Sequence, residues 1–171
     1  MGKVVLYIAQ SVDGYIAREN GAIDWLWDDQ DYDYEKFITT IDTVILGRKT
    51  YEQIFQLTDQ FPYRSKDVYV VSNMQEGSDE YATFIQPEQI RPLINLLKND
   101  QHKNIWVVGG AQVIHHFINK NLIDEYQIAI QPTMIGSGIP LFEKNDVEQQ
   151  LELYEAKPFS TGMLMLTYRK K

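Results

Sequence analysis

The chain has 171 residues, of which 44% are hydrophobic and 23% charged, a balance typical of a folded globule with a sizeable core. Its formal net charge of −8 argues against broad nucleic-acid binding, which needs a positive field. The absence of cysteine excludes disulfides and thiolate metal sites, and no apolar run approaches the length of a membrane span. We therefore expect one cytoplasmic domain over residues 1–171, with no metal, no membrane and no nucleic acid among its partners.

The first half of the chain alternates strands with helices. A near-continuous apolar run at residues 4–9 predicts a strand buried on both faces, and shorter runs at residues 43–46 and 67–71 predict two more. A helix precedes the second strand, because four apolar residues are spaced as on one helix face: Tyr34, Phe37, Ile38 and Ile41. Strands that alternate with helices imply parallel pairing through crossovers.

The second half begins in the same way and ends differently. A strand at residues 105–110 runs directly into a helical pattern, and residues 125–131 alternate as in a strand with one buried face. Residues 151–157 and 163–168 predict a terminal antiparallel pair. The fold class that follows is α/β, with a central, mostly parallel eight-stranded sheet, about four helices and a C-terminal antiparallel hairpin.

The strand at residues 105–110 ends in two adjacent glycines, Gly109 and Gly110, directly before its helix. Glycine removes the side chain that would block close approach to the backbone, and the first amides of the helix, at Ala111, Gln112 and Val113, are then free to bind an anion. This pattern favours a phosphate seat. The alternative is a turn that needs glycine only for its dihedral angles.

Two other predicted strands also end in residues suited to anions. The second strand ends in Gly47, Arg48, Lys49 and Thr50, and the third ends in Ser72 and Asn73. The two cations weigh toward an anionic ligand, because the helix dipole disfavours cations at a helix N-terminus. Ligands of open α/β sheets bind beyond the carboxyl ends of the strands, so we expect the three strand ends to form one site.

The motifs in this order resemble the dihydrofolate reductase fold. Residues 47–51 are similar to the G-R-x-T-W signature, whose basic residue and threonine contact the phosphates of NADPH, and Gly109-Gly110 resembles the glycine pair at the pyrophosphate. Residues 16–20, followed by Trp25, resemble the mobile loop near the nicotinamide, which implies that Ile16 and Ala17 contact the cofactor. The resemblance implies NADPH as the cofactor.

Within that fold, other segments resemble the reductase half of the bifunctional riboflavin-biosynthesis deaminase–reductase. These segments are residues 11–14, 42–47 and 132–138. The resemblance implies hydride transfer of the 5-amino-6-(5-phosphoribosylamino)uracil reductase type to a small heterocyclic or imine substrate. It also implies a homodimer.

The substrate side of this resemblance falls on an aspartate-rich segment. Asp31 lies near the position of the pterin-binding carboxylate, Asp31 or Asp24 is the predicted proton relay, and Trp25 and Asp31 are the predicted substrate contacts. Burial and neighbouring carboxylates are expected to raise the pKa of the catalytic carboxyl. Lys36 is the one cation between residues 25 and 46, so no arginine is present there to hold a ribose phosphate.

Two alternatives remain open from the sequence. Pterin binding at Asp31 would indicate a dihydrofolate reductase, and loss of a proton donor would leave a non-catalytic, nucleotide-binding dimeric module. The adjacent residues His115 and His116 point to different faces of one helix, and we interpret both as structural.

Overall fold

A computed structural model describes all residues from Met1 to Lys171. Its strands are β1 (Val4–Ser11), β2 (Tyr15–Ala17), β3 (Thr43–Gly47), β4 (Asp67–Val71), β5 (Gly77–Ser78), β6 (Thr83–Ile85), β7 (Ile105–Gly109), β8 (Glu125–Gln131), β9 (Ile139–Pro140), β10 (Leu151–Pro158) and β11 (Leu164–Lys170). Its α-helices are α1 (Tyr34–Thr39), α2 (Arg48–Leu57), α3 (Ile90–Asn95) and α4 (Ala111–Asn119). A 3₁₀ turn, Pro87–Gln89, precedes α3, and a π-helical turn, Leu96–Asp100, follows it. None of the helices is both long enough and apolar enough to span a membrane.

The large sheet has nine strands in the order β10-β11-β8-β1-β7-β3-β4-β6-β5. The pairs from β8 through β6 are parallel, whereas β11 pairs antiparallel with β8 and with β10. This architecture confirms the predicted α/β fold with its terminal hairpin. The ninth strand, β5, and the separate β2–β9 pair contain only two or three residues per strand, too few for a periodic pattern to show in the sequence.

The apolar residues of the central strands alternate between the two faces of the sheet. In β1, Val4 and Leu6 pack against α3 and α4, whereas Val5 packs against α1 and α2. In β7, Val107 lies in the first layer and Trp106 in the second. Because both faces are covered by helices, these strands are apolar at nearly every position, which is the pattern that made them visible in the sequence.

Candidate functional site

The carboxyl ends of β7, β3 and β4 lie side by side, as expected from the sequence. These strands are neighbours in parallel register, with Leu46 opposite Gly109 and Gly47 opposite Val71. The helices α2 and α4 begin directly after β3 and β7 and border a cleft of about 580 Å³. The three motifs therefore form one concave site at the edge of the sheet where ligands of such folds bind.

Most of the predicted cofactor residues line this cleft. They are Gly47, Arg48, Lys49, Thr50, Ser72, Gly110, Ala111, Gln112 and Val113. Gly109 precedes the lining residue Gly110 in the chain. Ile16 and Ala17 are buried at its border, where Ala17 pairs with the lining residue Ile139 across the small sheet. Their contact with a cofactor stays a prediction.

The two helices that begin in the cleft have uncapped N-termini. The N-cap residues are Gly47 for α2 and Gly110 for α4, and neither contributes a side-chain hydrogen bond to the first turn. Neither first turn contains an aspartate or a glutamate. The first amides of both helices thus lack the usual partners, and the two helix dipoles place partial positive charge at the cleft.

The glycines allow the two helix starts to approach each other closely. A Cβ added to Gly47 would lie 3.2 Å from Cγ2 of Val113 and 3.7 Å from the backbone nitrogen of Gly110. A Cβ added to Gly110 would lie 3.4 Å from Oγ1 of Thr50. Gly109 has φ 134°, which other residues rarely adopt. The glycine pair therefore has a conformational role, and it also leaves open the space between the two helix N-termini.

The side chains around the helix starts add positive charge. Arg48 lies 3.1 Å from Oε1 of Glu52 one turn along α2, whereas Lys49 is exposed and forms no ion pair. The Ser72 hydroxyl accepts hydrogen bonds from the backbone amides of Met74 and Gln75, both at 3.2 Å. Ser72 thus shapes the turn after β4, and Lys49 is the cation with a free charge at the cleft.

The lining residues that were missed from the sequence include Gln53, Pro87 and His116. Helical spacing could have found two of them, because Gln53 follows Lys49 by four positions and His116 follows Gln112 by four. His116 is half-buried, and burial lowers its pKa, with a further lowering by Lys120. The interpretation of His116 as purely structural is therefore incomplete, because its side chain also faces the cleft.

Two segments that resemble riboflavin-type reductases, residues 11–14 and 132–138, contact each other. Asp13 accepts hydrogen bonds from the Ser11 hydroxyl at 2.6 Å and from the Gly136 amide at 2.8 Å. The Val12 amide donates to the Thr133 carbonyl at 2.9 Å. The Ser11 hydrogen bond is the main reason that the pKa of Asp13 is lowered. Asp13 therefore fixes the turn after β1 to the loop that leads into β9.

The predicted catalytic carboxylates, Asp24 and Asp31, are not among the residues that line the cleft. Asp31 is exposed and accepts the Glu35 amide at 3.1 Å in the first turn of α1. Asp24 is exposed and paired with both Nε and Nη2 of Arg18, at 2.7 and 3.1 Å. The hydrogen bond from Arg18 lowers the pKa of Asp24, so the expected rise in pKa is wrong for this residue. Trp25 is buried, and its indole N–H has no hydrogen-bond partner.

The RibD C-terminal domain family matches residues 2–165. The chain belongs to this family. It is 45% identical over 165 residues to the uncharacterized protein YwjB of Bacillus subtilis (strain 168), covering 94% of each chain. The similarity between this RibD C-terminal domain protein and YwjB thus extends over most of both chains.

Two solved structures share the fold. One is a protein of Shewanella sp. PV-4 assigned to riboflavin biosynthesis, with a TM-score of 0.85, 24% identity and 99% coverage of both chains. The other is the dihydrofolate reductase of Enterococcus faecalis complexed with NADP(H), with a TM-score of 0.71, 19% identity and coverage of 99% of this chain and 97% of the other. At these identities the likeness shows the RibD C-terminal domain protein to have a dihydrofolate reductase-like fold.

Proposed function

We propose that the protein is an NADPH-dependent reductase. The observation that carries this proposal is the pair of uncapped helix N-termini, at Arg48 and Ala111, which open side by side into one cleft without any carboxylate in their first turns. Two adjacent anion seats suit the phosphates of a dinucleotide. The family match and the fold shared with an NADP(H)-binding reductase support the same proposal.

The residues of the cleft fit a phosphorylated dinucleotide. The amides at the start of α2 and α4 would hold phosphate oxygens, and Lys49 would supply a mobile positive charge. Thr50 carries a hydroxyl where the two helix starts meet, 3.4 Å from the position of a Cβ on Gly110. The absence of a side chain at Gly110 keeps this seat open.

When bound, NADPH would supply a hydride, and the chain would supply position and the exclusion of water. Trp25 and Asp31 would hold the substrate. Because the pKa of Asp24 is lowered by Arg18, we assign Asp24 to positioning of the loop after β2, and we keep Asp31 as the carboxylate that faces the substrate.

The resemblance to riboflavin-type reductases also implies a homodimer. We propose the exposed outer strand of the terminal hairpin, β10, as the contact surface between the two copies.

The proposal is tested by titrating the purified protein with NADPH and NADH and following nucleotide fluorescence and thermal stability. Binding to the native state alone raises the free energy of unfolding by about 2.7 kcal/mol at a hundredfold excess over Kd. We expect Gly110→Val to raise the Kd for NADPH about tenfold or more, a loss of about 1.4 kcal/mol, because its side chain would enter the seat beside Thr50.

Gly110 is a better position for this test than Gly109, where φ is 134° and a side chain would strain the backbone regardless of the cofactor. Lys49→Gln provides a second variant that changes charge without touching the backbone, and it is expected to weaken NADPH more at low than at high salt. Ala156→Val, on the exposed strand β10, is the matched control. A protein that binds neither nucleotide would refute the reductase function.

A further inference from the structure

The turn at residues 18–22, which follows β2, forms part of the wall of the cleft. The Arg18 amide donates to the Ala22 carbonyl at 2.9 Å, and the Gly21 amide donates to the Arg18 carbonyl at 2.8 Å. Three residues of this turn line the cleft together with the first turns of α2 and α4: Glu19, Asn20 and Gly21. A change of charge in the turn therefore changes the electrostatic potential in the cleft.

Asn20 and Gly21 form the one asparagine–glycine pair in the chain. Glycine after asparagine favours deamidation, because no side chain hinders attack of the glycine backbone nitrogen on the asparagine carboxamide. Both residues are exposed. A Cβ added to Gly21 would have no neighbouring atom within 4 Å, so nothing packs against this peptide and shields it.

The side chain of Asn20 is folded back toward the backbone that follows it. Its Oδ1 accepts a hydrogen bond from the Ala22 amide at 2.9 Å. This bond holds the carboxamide beside the Gly21 peptide and draws electron density away from Cγ, the atom that is attacked. The bond from the Gly21 amide to the Arg18 carbonyl has to open first, and an exposed turn opens through local fluctuations.

We propose that Asn20 is a site of spontaneous deamidation, and that the carboxylate formed there weakens the binding of an anionic ligand in the cleft. The Gly21 nitrogen forms a bond to Cγ of Asn20, the Cγ–Nδ2 bond breaks, and the proton of the attacking nitrogen leaves with the amide group as ammonia. Water then opens the succinimide ring to aspartate or isoaspartate, without oxidation or reduction. The modification is independent of the proposed reductase function, whereas its effect on NADPH rests on that function.

The new charge would lie in a cleft that otherwise suits anions. Lys49 and the uncapped N-termini of α2 and α4 line it. Glu19 is the one acidic residue that lines the cleft, so a carboxylate at residue 20 would be the second. Two adjacent carboxylates would repel the phosphates of a dinucleotide and offset part of the attraction that the helix N-termini provide.

The chain contains an internal control for the chemistry. Asn145 is also exposed, and its Oδ1 accepts the Val147 amide at 2.7 Å, but the next residue is Asp146 instead of glycine. The purified protein is incubated at neutral and at alkaline pH, and peptide mapping by mass spectrometry follows both asparagines in the same sample. We expect Asn20 to lose its carboxamide, faster at alkaline pH because the attacking nitrogen must be deprotonated, while Asn145 stays intact.

Two variants separate the reaction from its consequence. Asn20→Gln lengthens the side chain and disfavours the five-membered ring, so residue 20 should stay intact in the same incubation. Asn20→Asp reproduces one product and keeps an acceptor for the Ala22 amide. It should raise the Kd for NADPH about fivefold at low salt, the upper range for an exposed charge interaction, and less at high salt. Asn145→Asp makes the same charge change outside the cleft and should leave this Kd unchanged.

An intact Asn20 after prolonged alkaline incubation, or equal conversion of Asn145, would overturn the modification site. An unchanged Kd in Asn20→Asp would overturn the effect on the cleft. A protein that binds neither NADPH nor NADH would refute the reductase function, and with it the effect on NADPH, but it would leave the mass-spectrometric result for Asn20 unaffected.

Discussion

Glu125 is a buried carboxylate held by cations from both ends of the chain. Its side chain is 3% exposed and lies 2.6 Å from Nζ of Lys3 and 2.8 Å from Nε of Arg169. Burial raises its pKa, but hydrogen bonds from Lys3, Gln127 and Arg169 outweigh this effect, so the pKa is lowered overall. Because the pKa is lower in the folded state, the stabilisation is fully present above the ordinary pKa and is lost as the pH falls through the folded-state value.

Glu125→Gln is therefore expected to lower the free energy of unfolding by about 1.5–3 kcal/mol at neutral pH, the range for hydrogen bonds to charged groups. The expected decrease in the free energy of unfolding is modest because the side chains of Lys3 and Arg169 are 39% and 43% exposed and can be solvated when the carboxylate is removed. Urea denaturation at neutral pH and at successively lower pH values measures the effect.

The difference between Glu125→Gln and the unmodified protein should shrink as the pH falls below the ordinary pKa of glutamate, about 4.3, because protonation then removes from the unmodified protein the interactions that the variant already lacks. Glu148→Gln, at an exposed position outside the strands and without an ion pair, is the matched control. A difference that stays constant with pH would contradict the assignment of the stabilisation to the ionised carboxylate.

At the scale of secondary-structure elements, α4 connects the hydrophobic core to the cleft. Its first residue lines the cleft, whereas Phe117, two turns further along, is completely buried against the sheet. Phe117→Ala is expected to cost about 3–5 kcal/mol of stability, because the removed ring leaves a cavity that a close-packed interior fills poorly. Leu57→Ala, at a position 85% exposed, should cost less than about 0.5 kcal/mol.

Chemical denaturation measures both values, and NADPH titration of Phe117→Ala below its melting temperature adds a second result. We expect weaker binding in Phe117→Ala, since α4 contributes an anion seat only when its N-terminus is fixed beside that of α2. Equal stability of the two alanine variants would contradict the packing argument.

The elements that the sequence predicts well are those whose residues are buried in a regular pattern along the chain. Both faces of β1 and β7 are covered, so their apolar runs were unambiguous. The meeting of the carboxyl ends of β3, β4 and β7 at one edge of the sheet followed from parallel pairing. β5 and β9 have two residues each and no pattern to detect. Their existence depends on tertiary contacts rather than on local sequence.

Side-chain partners were less accessible to the sequence than strand positions. The pairing of Asp24 with Arg18 depends on the path of the turn at residues 18–22, and it reversed the expected direction of the pKa shift of Asp24. The stacking of Tyr7 on Phe37 depends on how α1 packs on β1. Neither relation has a fixed spacing along the chain that a motif could express.

At the scale of the whole molecule, one edge of the large sheet lacks cover. Strand β10 is the outermost strand, and all of its residues except Leu151 are exposed, although successive side chains point to opposite faces. Leu153 is 53% exposed and Tyr154 is 62% exposed. An irregularity between Leu153 and Glu155 interrupts the pairing with β11, which limits open-ended strand addition but leaves the apolar side chains in solvent.

We expect a second copy of the chain to cover strand β10, as proposed from the resemblance to riboflavin-type reductases. The apolar side chains of β10 would then be buried, and a two-fold contact would close the interface and prevent further growth. Light scattering coupled to gel filtration should give twice the mass of one chain at micromolar concentration. Leu153→Glu should shift the equilibrium toward the monomer, because it would bury a charge in the interface.

Leu57→Glu introduces the same charge at an even more exposed leucine, at the end of α2, and should leave the mass unchanged. The proposed anion seats of α2 and α4 lie at the carboxyl ends of β3 and β7, four or more strand positions away from β10 in the sheet. The monomeric Leu153→Glu variant should therefore bind NADPH with unchanged affinity. A monomer at all concentrations of the unmodified protein would contradict the dimer without touching the reductase function.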